Sequence, residues 1–277
     1  MTVAVVVKVF DGLVLATDSA TTMQLPDGSA QVYNNADKIF HLHRGLPIGA
    51  MTWGLGSIGS ASIATLSKDL RQRLMGDDPE HPEAALNPTE YSVEEVAGHA
   101  RDMFYDLYAT SFEATPGDEL GYLVAGYSAG SKDSEAWLIT LNDIEEEPDL
   151  VQVITADVSG YIPFAQPEAT TRLFKGIDPG LAATLFQIVP SEQHEELKRA
   201  IAEHQRYPVP GPMPFPDAIE FARYLVEVTS GYSHFLLGPD TVGGKVEVAG
   251  LNRHEGFKWI SRKHYYSVEL NSQGARR

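Results

Sequence analysis

The chain has 277 residues, no cysteine and a formal net charge of −17, from 38 acidic and 21 basic side chains. The lack of thiols excludes a cysteine nucleophile, a Cys-ligated zinc site and a disulfide framework. An acidic surface repels phosphate backbones and anionic headgroups, so neither nucleic acid nor membrane is expected as a partner. No apolar run approaches the roughly 18 residues that read as a membrane span. The opening run Ala4-Val5-Val6-Val7 has no basic residue before it, as a signal peptide would, so it reads as a strand and the expected location is the cytoplasm.

The first strand signal is Val3 to Phe10, rich in β-branched residues. Asp11-Gly12 is a hairpin turn signal, and Leu13 to Thr17 runs apolar again. Further strands fit Lys38 to His43 and Ile48 to Trp53. Four strands so close together predict an antiparallel sheet rather than alternating β–α units. Ile63, Leu66, Leu70 and Leu74 then keep helical spacing, and the segment from Gly76 to Pro88 reads as a surface loop. Ser92-Val93-Glu94-Glu95 is a capping box opening a helix through Leu107. Strands resume at Gly121 to Gly126, Ala136 to Leu141 and Leu150 to Ala156.

Helical patterns recur near Glu168 to Phe174 and from Glu192 to His204, followed by a connector with prolines at 208, 210, 212, 214 and 216. Asp217 is expected to cap the next helix, and strands near Lys245 to Ala249 and Phe257 to Ser261 close the pattern. Strands and helices in alternating runs suggest two sheets between helical layers. The proline connector could be a domain boundary. However, the last strands have too little chain behind them to form a sheet of their own, so one domain spanning 1–277 is expected.

Three motifs attract attention and fail on context. Gly54-Leu55-Gly56-Ser57-Ile58-Gly59 is a literal GxGxxG, but no parallel strand follows the helix after it, so no dinucleotide is expected. Gly126-Tyr127-Ser128-Ala129-Gly130 matches the GxSxG elbow, yet another strand follows instead of a helix, which makes it a hairpin loop. His41 and His43 share a strand face without a further ligand nearby. Neither a metal nor any other cofactor is expected.

The remaining motif is at the amino terminus. Loss of Met1 would leave Thr2 with a hydroxyl nucleophile and a free α-amine. An α-amine with a pKa of roughly 7.7–8.0 can act as a base near neutrality. One residue then supplies nucleophile and base, the N-terminal-threonine form of the triad logic. The stretch from Thr2 to Asp18, with Asn35-Ala36-Asp37-Lys38-Ile39-Phe40 after it, resembles the opening of the proteasome β-subunit and its bacterial proteasome-like relatives, a branch of the N-terminal-nucleophile (Ntn) hydrolases. The resemblance is strong from Thr2 to Leu74 and weaker afterwards.

That resemblance implies an α+β fold, a four-layer αββα sandwich with two antiparallel sheets between helical layers. It implies Thr2 as nucleophile, with Asp18 and Lys38 setting the electrostatics. Gly54 would be the oxyanion donor, helped by a following helix N-terminus, and Thr22 would bind substrate backbone as an added strand. Asp240-Thr241-Val242-Gly243-Gly244 resembles the family's Asp-x-x-Ser-Gly-Gly segment, with Asp240 displaced by one and Val242 in place of the serine. Ser159-Gly160 is a poorly placed counterpart of the family's Ser-Gly pair, and residues around 175–216 look like an insertion. The expected function is hydrolysis of peptide or amide bonds by identical subunits in a ring or helical assembly. The alternatives are a catalytically silent scaffold subunit and a small-molecule amidase of the same fold.

Overall fold

The computed structural model describes residues 2–24, 28–238 and 241–263. Met1, residues 25–27 and the expected site residue Asp240 lie outside them. The described residues form a mixed α+β fold in which every strand pairing is antiparallel. From the amino terminus the strands are β1 (Ala4–Val9), β2 (Gly12–Thr17), β3 (Thr21–Gln24), β4 (Ala30–Tyr33), β5 (Ile39–His41) and β6 (Ile48–Gly54). A small hairpin, β7 (Ser57–Ile58) and β8 (Ala61–Ser62), leads into helices α1 (Ile63–Leu74) and α2 (Val93–Ser111). Next come β9 (Leu120–Gly126), β10 (Glu135–Leu141), β11 (Val151–Ile154) and β12 (Gly160–Phe164). Helices α3 (Glu168–Lys175), α4 (Pro179–Ile188), α5 (His194–His204) and α6 (Phe215–His234) precede β13 (Glu247–Asn252) and β14 (Gly256–Ser261).

Two five-stranded sheets dominate, ordered β12-β1-β2-β13-β14 and β11-β10-β9-β6-β5. The four amino-terminal strands expected in one sheet are therefore divided: β1 and β2 belong to the first, β5 and β6 to the second. Between them β3 and β4 form a separate two-stranded ribbon. This division follows from burial on both faces. Every residue of β1 and β2 is buried, as their near-continuous apolar runs require.

Because side chains alternate along a strand, β1 feeds two apolar clusters at once. Val6 and, from β2, Leu15 join Met51, Trp53 and Leu123 of the second sheet. Val5, Val7 and Val14 point the other way, onto Ala222, Leu225 and Val226 of α6. A third cluster packs Leu66 and Leu70 of α1 and Phe104 of α2 against Tyr122 and Val124 of β9. Each fully buried side chain of this size contributes about 1.5–3 kcal/mol of transfer free energy. The capping box forms as the sequence predicts: the Ser92 hydroxyl accepts from Glu95 N–H, and the Glu95 carboxylate accepts from Ser92 N–H.

One local expectation needs correction, and two further elements were not anticipated. Helix α6 starts at Phe215 with Pro214 at its N-cap, so Asp217 sits in the first turn instead of capping it. Strand β12 was masked in the sequence by its Gly160 and Pro163. An edge strand tolerates such a proline because its outward N–H has no ladder to join. Helix α4 begins with Pro179-Gly180, where Pro suits a first helical turn and the Asp178 side chain caps it. The proline connector is tied to the first sheet: Val209 enters the α6 cluster, and Phe10 N–H donates to Gly211 O at 2.9 Å. No helix among the described residues is long and apolar enough to cross a membrane.

Candidate active site

The β1–β2 hairpin brings Thr2 and Asp18 together. Its register pairs Ala4 with Thr17, and one step further Asp18 N–H donates to Val3 O at 3.3 Å. Val3 N–H donates in return to Asp18 Oδ1 at 3.2 Å. Lys38 comes from the other sheet, one residue before β5, where its carbonyl accepts from Thr52 N–H of β6 at 2.9 Å. Its ammonium donates to Thr2 Oγ1 at 2.8 Å and to Asp18 Oδ1 at 2.7 Å. Thr2, Asp18 and Lys38 are 4%, 1% and 5% exposed, so this relay lies out of bulk water.

Asp18 is held on all sides. Its Oδ2 accepts from Ala20 N–H and from Gly243 N–H, each at 3.1 Å, so both oxygens carry two bonds. A carboxylate has roughly four acceptor sites, and none is left over. The carboxylate cannot rotate without breaking a backbone bond, so its position is fixed for Lys38. Burial pushes the Lys38 ammonium below its ordinary value, Asp18 opposes that, and the nearby Lys263 charge adds to the lowering.

A second set of buried charges, without a local sequence signal, backs the first. Glu247 sits opposite Thr17 in the β2–β13 ladder and forms a 3.3 Å ion pair with Lys263. The Lys263 ammonium also donates to Ser19 Oγ at 2.9 Å and to the Ala36 carbonyl. Burial raises the Glu247 carboxyl above its usual range, and Lys263 counters it. The only hint in the sequence is a lone Glu at the start of an apolar strand. Its partner lies 16 residues further on, so spacing could not connect them.

The other expected residues are placed less closely. Gly54 ends β6, two residues beyond Thr52, and is exposed. Its φ is +79°, and a Cβ there would stand 2.0 Å from Glu119 O, so the backbone requires glycine. The expected helix N-terminus does not follow it directly. The β7–β8 hairpin intervenes, and α1 begins only after its Ser62 cap. Thr22 lies in β3 opposite Val32, and its Oγ1 is buried with no hydrogen-bond partner among the described residues.

Val242 is 1% exposed and packs in the α6 cluster, though the next residue, Gly243, reaches Asp18 through its backbone. Ser159-Gly160 is at the wrong end of β1: Gly160 faces Lys8, six residues from Thr2. The Thr2 end of that ladder is occupied by Phe164 opposite Ala4, followed by Ala165 in the left-handed region at φ 65°. For a non-glycine residue that conformation is uncommon.

The decoy motifs have structural explanations. Ser128 lies in the loop between β9 and β10, where its hydroxyl accepts from Val93 N–H and donates to Glu135. His41 stacks on Phe257 at 4.3 Å. Among the described residues no group of three or more acidic or histidine side chains is placed to hold a metal ion. No family model matches the chain, and no curated protein resembles it at a significant level.

Proposed function

We propose that this chain is a proteasome-like threonine hydrolase that cleaves peptide or amide bonds through Thr2 once Met1 is removed. The observation that carries this reading is the buried relay in which one ammonium touches both Thr2 Oγ1 and Asp18 Oδ1. In this scheme the Thr2 hydroxyl attacks the substrate carbonyl carbon and its proton passes to the freed α-amine. The C–N bond then breaks, the leaving amine takes that proton, and water hydrolyses the ester left on Thr2. Lys38 stabilises the developing alkoxide, and its depressed affinity for a proton lets it share the transfer. Gly54 N–H is the proposed oxyanion donor. The unpartnered hydroxyl of Thr22 is the proposed contact for the backbone of an extended substrate added beside β3.

The three apolar clusters, in the order helix–sheet, sheet–sheet and sheet–helix, support reading the fold as a four-layer αββα sandwich of the Ntn type. Assembly of identical subunits belongs to the same proposal. A second reading, a catalytically silent scaffold subunit, is favoured by one observation: the position expected to carry a serine is Val242, buried in apolar contacts where it cannot tune an amine.

Intact mass and labelling separate the two. A mass lower than the full chain by one methionine residue, with an epoxyketone adduct on Thr2, is the outcome expected of the hydrolase. A processed chain that takes no adduct would rule out the hydrolase and leave the scaffold. Turnover of acylated small molecules without peptide cleavage would identify the amidase instead.

A further inference from the structure

The far end of β1 carries a feature the proposed hydrolysis does not use. A cavity of about 290 Å³ opens between the edge strands of the two sheets, β12 and β11, and is covered by the segment from Gln205 to Val209. Its walls include Val153, Ile162, Pro163 and Val209. Ile162 and Val153 are continuous with the apolar layer between the sheets. This is just below the volume range of small-molecule sites, roughly 300–1,000 Å³, so the occupant must be small.

The charged groups at this cavity are all cationic. Lys8, Lys175 and Arg206 line it with no acidic side chain, on a chain whose net charge is −17. Lys8 is already committed: its ammonium donates to the carbonyls of Ser134, Thr155 and Ala156 at 3.0, 2.5 and 2.9 Å. Lys175 and Arg206 have no carboxylate partner among the described residues. Arg206 is anchored by its backbone, whose N–H donates to Phe174 O at 2.6 Å, and its guanidinium spends one donor on the Gln205 carbonyl at 3.1 Å, leaving the others for an anion. Tyr161, also in the lining, packs its ring edge-on against Phe174 and Phe221. Two cations without a carboxylate partner beside an apolar slot are complementary to an anionic head on an apolar tail.

We infer that this cavity binds a small amphipathic carboxylate, its tail between the sheet edges and its head on Lys175 and Arg206. The site lies about 20 Å from Thr2, six residues along an extended strand, so it is separate from the relay and does not depend on the hydrolase reading.

Isothermal titration calorimetry with decanoate tests it, with acetate and decyltrimethylammonium as controls. Decanoate is expected to bind one per chain, and neither control to bind measurably. Replacing both cations (K175M with R206M), which are exposed and make no core contact, is expected to weaken decanoate at least about tenfold. V209W, which fills the slot, is expected to abolish binding; if it does not fold, Y207W at the exposed cover is the second arm. The inference fails if decanoate does not bind, if the double variant binds it equally well, or if the cationic amphiphile binds as tightly.

Discussion

Strand β1 has a buried ammonium at each end, and the two are held by different chemistry. Near Thr2, Lys38 meets a carboxylate and a hydroxyl. At the other end, Lys8 meets three backbone carbonyls and sees the acids Asp133, Asp157 and Glu135 only at a distance. Burial lowers the proton affinity of both. Three carbonyls fully occupy the three N–H bonds of an ammonium, so Lys8 ties the end of β1 to the loops around β10 and β11 and has nothing left to give. Lys38 shares its donors with a hydroxyl that can itself be deprotonated. Thus the same side chain fastens the fold at one end and, in the proposed hydrolase, conditions a reactive oxygen at the other. What separates the roles is whether a partner can change its protonation state.

This contrast can be broken most severely at Thr2. T2A is expected to abolish epoxyketone labelling and any hydrolysis, a loss of roughly 10³-fold or more, while thermal unfolding stays close to wild type. K38M should lower the labelling rate by about 10²–10⁴-fold, the range for removing a proton-transfer partner. K8M tests the opposite end. It strands three carbonyls and is expected to destabilise by about 3 kcal/mol in urea denaturation. The labelling rate at Thr2 should be unchanged, and a large drop would mean that the two ends are not independent.

The pH dependence sharpens the comparison further. Burial makes Lys38 bind a proton less readily in the folded chain than an ordinary lysine, at 10.5, does in the unfolded one. Between the two values the unfolded state holds more protons, so stability contributed at this position rises with pH across that window. It is lost as pH falls through the folded value. The slope of unfolding free energy against pH should therefore be shallower in K38M than in wild type in the window just below 10.5. The smallest effect is expected outside both ends. S92A removes the α2 capping box and should cost about 1 kcal/mol, with no change at Thr2 or Lys8.

How much was legible in the sequence depended on the distance between partners. That Thr2 and Asp18 lie together follows from a tight hairpin and the strand period, because a two-residue turn sets every later register; the turn itself falls on Phe10-Asp11, one residue before the expected Asp11-Gly12, with Val9 paired to Gly12 and Asp18 beside Val3. The Ser128 loop and the α2 cap were equally local. Gly54 was found by its motif, but its need for glycine comes from Glu119 O, more than sixty residues away. Thr22 could be named, though its lack of a partner could not be foreseen.

By itself, the sequence determined the hairpin, the buried strands and the amphipathic helices, since short-range spacing and side-chain periodicity dictate those. The tertiary structure alone decided how the first strands divide between two sheets and that Lys38 crosses from one sheet to reach Thr2. It also set Glu247 against Lys263 behind them and left a cation-rimmed cavity where the sheet edges part. Buried charges need partners, and those partners can come from anywhere along the chain, so only the packed fold could show which would meet.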